Sequence, residues 1–408
     1  MIAAGKIRID LYHRSGQSEA VKIVSSRPQA SKLWVGKTPE QVLTIVPLLF
    51  SVCSNAQAYA ALQAYRSALG IIAFEPQADT ARDMLVQVEL LREHCWRILL
   101  DWPGFVGLAA DKKSLKILMT FDAQFKRSLF REGQGFKLDS ELSVNAKPLK
   151  TLIDEVELLI DEAIFKGDLK GFMAIVNEAE LLDWLQKNKS LSAYVLNDVY
   201  HRHYQAIGQS KVDCLPEIDP QSLNQFMEQE DLSVFSQFPH WQGRCFETTA
   251  LNRQASNPLI IALMRGYQNG LLVRMVARLL EVGQVLSHLR PLLHTINDDL
   301  CVTINTELGR NNTELRHNIG LGKVQAARGL LIHRVELWQG QIKDYCIVAP
   351  TEWHFHPEGV VAHSLKSLQA HDSEPLRQQA ERLINSIDPC VHYDLTLIDS
   401  DKAPSTYA

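Results

Sequence analysis

Polar and apolar residues alternate along Lys6-Ile7-Arg8-Ile9-Asp10-Leu11-Tyr12, a period of two that predicts a strand with one buried face. Ser15-Gly16-Gln17-Ser18 reads as a turn, and residues 20–24 as a second strand. Residues 1–36 therefore predict an N-terminal β-hairpin. From Lys37 the spacing lengthens. Thr38 can cap a helix, Pro39 suits its first position, and Glu40 favours its positive end. Val42, Ile45, Leu49, Val52, Ala56, Tyr59 and Leu62 keep helical spacing. Pro47 lies inside that run and is expected to kink or break it just before Cys53.

Helical patterns cover residues 78–102, 115–130, 149–165 and 181–188, separated by Gly, Pro or Asn. Residues 207–244 are richer in Pro, Gly, Asp and Gln and read as irregular connection. Residues 257–295 are helical again, with Pro291 marking a break. Beyond about residue 318 the character changes. Residues 330–337 read as a strand, Gln339-Gly340-Gln341 as a turn, and residues 345–348 as a second strand, a C-terminal hairpin. Residues 375–387 predict a last helix, and the polar tail from Asp399 has no pattern. His354 and His356 alternate on a segment that reads as extended. The fold class expected is α+β, mainly α, with a helical core and small β elements from both termini.

Composition narrows the function classes. Of 408 residues 46% are hydrophobic and the net charge is −5, which gives no electrostatic case for nucleic acid or an anionic membrane. The longest apolar stretches, residues 42–50 and 259–264, are too short to span a bilayer. The first residues lack the apolar core of a signal peptide. Seven cysteines, at 53, 95, 214, 245, 301, 346 and 390, include no CxxC pair. That pattern reads as reduced thiols in a cytoplasm and removes the usual evidence for a structural zinc.

Taken singly, the candidate residues have plain readings. Cys53 on an apolar helical run is a packing residue. Cys390 follows Asp-Pro and reads as part of a turn. His354 and His356 lack a third ligand, His201 and His203 have no better claim, and Arg328-Gly329 is a simple turn before a strand.

Read in order, the fragments resemble the large subunits of nickel–iron hydrogenases. Residues 5–11 resemble their opening Glu-Gly-x-x-Arg-Ile strand, and residues 37–53 the helix leading into Arg-x-Cys-Gly-x-Cys. Phe246-Glu247-Thr248-Thr249-Ala250-Leu251-Asn252-Arg253 is similar to their Glu-x-Gly-Pro-Leu-Ala-Arg segment. Ala327-Arg328-Gly329 resembles their Pro-Arg-Gly turn, and Val348-Ala349-Pro350-Thr351-Glu352-Trp353 their Val-Val-Pro-x-Thr-Trp segment. Asp388-Pro389-Cys390 matches the start of their closing Asp-Pro-Cys-x-x-Cys. The matches cover roughly the first 65 residues and, discontinuously, the last 165; the helical centre, about 70–245, shows none.

The departures are systematic. The first amino-terminal cysteine of the family falls on Phe50, the Arg before it on Leu48, the Gly on Ser51 and the following His on Gln57. The last cysteine falls on Tyr393 and the final His on Thr396. The Glu of the opening strand falls on Ala4, and the Pro before Arg328 on Ala327. In that family two thiolates bind nickel terminally and two bridge it to an iron carrying cyanide and carbon monoxide. By position, Cys53 would be a bridging thiolate and Cys390 a terminal one. Arg328 would lie over the iron and contact its diatomic ligands. With two thiolates gone and the acidic relay residue missing, nickel and hydrogen turnover are not expected.

The pattern resembles HupK-type hydrogenase accessory proteins. It implies a non-enzymatic scaffold or chaperone in hydrogenase maturation, holding an Fe(CN)2CO fragment transiently with Cys53, Cys390 and Arg328. The partners implied are iron–cyanide carrier proteins and the hydrogenase large subunit. Sharing one site across the chain implies a single intertwined domain over 1–408: a hairpin (1–36), a helical core (37–300), a C-terminal hairpin with closing helix and motif (318–398), and a tail (399–408) that stays uncleaved. Two other readings stand beside it. One is a docking protein that keeps only the large-subunit shape. The other is an oxidoreductase with a mononuclear metal on Cys53, Cys390 and His354, His356 or His392.

Overall fold

Strands β1 (Ile7–Arg14) and β2 (Gln17–Ser25) form the first hairpin. Ser15 and Gly16, both at positive φ, make the two-residue turn that matches the twist of the flanking strands. The computed structural model describes residues 5–71, 75–297 and 318–401.

Helix α1 (Pro39–Leu49) begins with a capping box between Thr38 and Gln41. It runs two residues past Pro47 and stops, and α2 (Ser54–Ala68) starts afresh after Cys53. Three further elements matter to the site. They are α3 (Pro76–Trp96), α4 (Leu271–Asn297) and the closing helix α5 (Ser373–Ile387). Between α4 and α5 lie β3 (Ile319–Ala326), β4 (Gly329–Trp338) and β5 (Gln341–Val348). The last strand is β6 (Tyr393–Asp399).

The six strands form two antiparallel-rich sheets, ordered β2-β1-β6 and β3-β4-β5. β6 runs parallel to β1, with Ile7 opposite Tyr393 and Leu11 opposite Leu397. The first and last strands of the chain are thus neighbours, and Cys390, just before β6, is brought to the N-terminal hairpin. The largest apolar core lies between α2, α3, α4 and the second sheet. A smaller one lies under the first sheet against α5.

The structure departs from the sequence reading at several points. β3 carries Gly320 and Gly322, poor strand formers, which hid it. They are there because β3 lies directly on α2. A Cβ on Gly320 would sit 1.9 Å from the Ala64 carbonyl oxygen, and one on Gly322 2.0 Å from that of Ala60. β6 occupies the closing motif, for which the sequence pattern predicts no strand, and only its last residue, Asp399, falls in the expected tail. Pro220–Met227 is a helix inside the stretch expected to be irregular. Pro291 does not break α4; it and Ser287, four residues before it, are exposed, a setting in which the hydrogen bond that proline removes is least costly. Pro350–His354 is helical, with Pro350 in the first turn and Glu352 near the positive end, so His354 is not on an extended segment.

The contact between β3 and α2 gives a direct test. Gly322→Ala should lower unfolding free energy by about 1–3 kcal/mol through overpacking, measured by urea denaturation. Gly266→Ala, at a helical position with nothing within 4 Å, should be neutral or slightly stabilising.

Candidate functional site

Cys53 stands at the N-cap of α2, and a thiol offers those first amides no good acceptor. The caps come from elsewhere. The Glu89 carboxylate on α3 accepts from the Asn55 N–H at 2.7 Å and the Ala56 N–H at 3.1 Å. Burial pushes Glu89 up to about 7, opposed by Arg92 and by these two amides. Capped from outside, α2 leaves the Cys53 side chain free to face a partly enclosed cavity of about 190 Å³, several times the ~30 Å³ share of one water.

The same cavity is lined by Cys390 and Arg328. The three residues singled out from the sequence therefore meet at one place. Burial, then Cys390 and Glu89, push the Cys53 thiol up to about 12, while Arg328 pulls the other way. Cys390 is held by Thr351, whose hydroxyl donates to the sulfur at 3.0 Å and accepts from the Cys390 N–H at 3.4 Å.

Arg328 sits in the two-residue connection between β3 and β4. Its Nη1 donates to Glu93 Oε2 at 3.1 Å, and its Nε lies 3.3 Å from Asp388 Oδ1. Asp388 ends α5 at φ 70°, a conformation Asp tolerates, and the following Pro389 excludes it from the helix. Its buried carboxylate also meets Arg97 Nε at 2.6 Å and lies 3.9 Å from Arg278 Nη2. Arg328, Arg97 and Arg278 together hold the Asp388 carboxyl below its ordinary range, against burial, which is the largest single influence and acts to raise it. Arg278, from α4, also donates to the carbonyls of Asn385 and Ser386 at 3.2 and 3.0 Å, closing the C-terminus of α5.

A second brace holds the Arg328 turn from behind. Arg253 Nη2 donates to the Ala327 carbonyl at 3.0 Å and its Nη1 to that of Thr248 at 3.3 Å. Arg253 is itself gripped by the buried Glu281, whose carboxyl Arg253 and His94 hold down at about 2 despite burial. Glu247 takes two hydrogen bonds from Arg274, each 2.9 Å. The segment around Glu247 and Arg253 thus orients the turn and does not line the cavity.

The histidines belong elsewhere, which corrects the mononuclear-metal reading. His354 is buried, and its Nε2 accepts from the Thr248 N–H at 3.0 Å. His356 Nδ1 lies 3.2 Å from Cys245 Sγ. His392 is 78% exposed beside Asp394. None of the three lines the cavity of the two cysteines. Among the described residues, no three His, Cys, Asp or Glu side chains form a group that could hold a metal ion. The other two thiolate positions of the resemblance are filled without sulfur. Phe50 lines the cavity with its ring edge-on to Trp34, 6.3 Å between centroids. Tyr393 opens β6. With Phe50 and Tyr393 in place of two cysteines, a four-thiolate metal pair does not fit these residues. Cys301 and Ala4 lie outside the described residues.

The sequence reading missed Arg27, Glu89, Glu93 and Thr351, all of which line the cavity. Thr351 stood within a matched fragment, the one signal that pointed to it. The other three touch the site only through contacts made on folding.

The sequence model of the nickel-dependent hydrogenase family matches residues 155–392. The hydrogenase expression/formation protein HoxV of Cupriavidus necator is 29% identical, covering 93% of each chain. The hydrogenase expression/formation protein HupK of Rhizobium leguminosarum bv. viciae is 26% identical over 99% of each. Among solved structures, the nickel–iron–selenium hydrogenase of D. vulgaris Hildenborough superposes with a TM-score of 0.61 at 15% identity, covering 93% of this chain and 94% of that one. That likeness shows the fold. No helix among the described residues is long and apolar enough to cross a membrane.

Two outcomes follow from this geometry. Iodoacetamide should alkylate Cys53 at a rate that still climbs between pH 9 and 10.5, where an ordinary thiol with pKa ~8.5 has levelled off; peptide mass spectrometry reads the rate. Asp388→Asn should cost about 3–5 kcal/mol at pH 7, because buried guanidinium groups lose their carboxylate. The folded-state pKa of Asp388 is depressed, so its contribution is full above the unfolded value of ~3.9 and fades as pH falls through the lower folded value. Urea titrations at pH 7 and pH 3 should show the gap between wild type and variant narrowing in acid.

Proposed function

Because the chain belongs to the nickel-dependent hydrogenase family, we propose that it serves hydrogenase maturation as a non-catalytic, large-subunit-like scaffold. Its cargo in this reading is the Fe(CN)2CO fragment, held transiently between Cys53 and Cys390 and passed on to the hydrogenase large subunit. The observation that carries the reading is a cavity lined by both thiols, Arg328 and Phe50, Phe50 and Tyr393 standing at the sequence positions of the two missing thiolates. The maturation role is supported by relatives named hydrogenase expression/formation proteins along almost their whole length.

The residues suit a temporary hold. Two thiolates supply soft donors for iron, whereas nickel chemistry needs more sulfur than the cavity has. Arg328 offers a charge-assisted hydrogen bond to an anionic cyanide nitrogen, the stronger kind. Thr351 fixes the Cys390 sulfur. Burial, Cys390 and Glu89 favour the neutral Cys53 thiol, so in this reading uptake at Cys53 is coupled to release of a proton, which weakens the hold. Iron–cyanide carrier proteins would deliver the fragment in the cytoplasm.

The test is to purify the protein anaerobically with its maturation partners and record infrared spectra. Cyanide and carbonyl bands are expected from wild type and should vanish in Cys53→Ala/Cys390→Ala. A wild type without bands, or undiminished bands in the double variant, defeats the proposal. If the large-subunit shape serves only to dock on a partner, the folded double variant would still support hydrogenase activity in cells.

A further inference from the structure

Apart from Arg328, one more guanidinium reaches the cavity. Arg27 lies in the loop after β2, and its side chain is 16% exposed. It lines the same space as Cys53, Cys390 and Arg328. Its Nη1 donates to Glu352 Oε1 at 2.6 Å. Among the described residues that is its one side-chain hydrogen bond, so its remaining guanidinium donors stay available. Arg328 donates through Nη1 to Glu93, while its buried Nε, 3.3 Å from Asp388, makes no hydrogen bond, so Nη2 remains a free donor group. The Arg27 backbone packs directly against Gly5, where a Cβ would sit 2.4 Å from the Arg27 Cα. The Arg27 charge acts on both cysteines, more on Cys390 than on Cys53.

We propose that Arg27 is a second anion-gripping donor of this site, so that Arg27 and Arg328 together select a ligand with two anionic, hydrogen-bond-accepting ends. This rests on the maturation reading, and deepens it. The two cyanides of the fragment supply two such ends, and each guanidinium takes one. Glu352 fixes Arg27 on the short helix that also carries Thr351, so the donor and the sulfur of Cys390 are positioned by the same five residues. Neither the sequence motifs nor the family resemblance marks Arg27.

The test uses the full chain, reduced and anaerobic, at pH 9. Iodoacetate and iodoacetamide attack the same thiols, but only the first is an anion. The ratio of their rates at Cys390, read by peptide mass spectrometry, reports how well the cavity attracts an anion and needs no cargo. Arg27→Gln should lower that ratio about threefold or more. Arg27→Gln/Glu352→Gln, which leaves no carboxylate bare, should lower it too. An unchanged ratio in the double variant overturns the proposal, because a fall in the single variant alone would come from the uncovered Glu352. In loaded protein, Arg27→Gln should shift the cyanide bands; unmoved bands also overturn it. A wild type that takes up no cyanide-bearing fragment defeats the maturation reading instead, and leaves the alkylation ratio to decide on Arg27.

Discussion

The buried Asp388 carboxylate, with Arg97, Arg278 and Arg328 around it, ties three distant parts of the chain to one point. Arg97 follows α3, Arg278 belongs to α4, and Arg328 sits in the turn between β3 and β4. Asp388 itself ends α5, two residues before Cys390. Burying these charges is expensive, and an ion pair in a low-dielectric interior often does no better than an apolar substitute. What such a cluster provides is geometry. A carboxylate hydrogen-bonded to Arg97 and flanked by two more guanidinium groups within 4 Å is held close to one position, and the thiol two residues on is placed with it. The stability at stake is therefore mostly the penalty for breaking the set.

The other thiol is placed by a different economy. A helix start normally uses Ser, Thr, Asp or Asn to satisfy its first amides. Cys53 does not, and Glu89 reaches across from α3 to do so. Glu89 is thereby held near α2 in an apolar setting that works against its charge. The arrangement spends a buried carboxylate on a task a serine could do locally, and in return leaves the residue at position 53 free to face the cavity as sulfur. Arg92 joins the two halves of this arrangement: it contacts Glu93, which pairs with Arg328, and donates to the Val52 carbonyl at 2.6 Å. The two thiols and the guanidinium between them are parts of one connected polar shell.

Much of this was legible because motifs survive as short runs. Cys53, Arg328 and Cys390 each sit in a fragment with recognisable neighbours, and the order of the fragments carried more weight than any one of them. The long helices were legible by period, whereas the short ones at Pro220–Met227 and Pro350–His354 were not. What was hidden falls into three physical kinds. Arg27, Glu89 and Glu93 act through contacts across 33 to 325 positions, and nothing in their local sequence differs from an ordinary surface charge. β3 was hidden because close packing against the Ala60 and Ala64 backbone demands glycine where strand propensity would ask for a β-branched residue. β6 was hidden because both its faces are half-buried, so its pattern is mixed where a one-sided strand would alternate.

The cavity's chemistry follows from the loss of sulfur as much as from what is kept. Four thiolates around a metal pair would need four deprotonations and would release the metal slowly. In the proposed maturation role, two thiols, one of them pushed up to about 12, would make metal binding compete with protonation at neutral pH. The guanidinium donors would then contribute a larger share of the hold, acting on the ligands of the metal and not on the metal itself. Such a site would recognise its cargo by what surrounds the iron and would lose it readily to a site with more sulfur. The same subtraction of thiols that leaves the cavity short of nickel ligands would give it the binding profile that a transfer step requires.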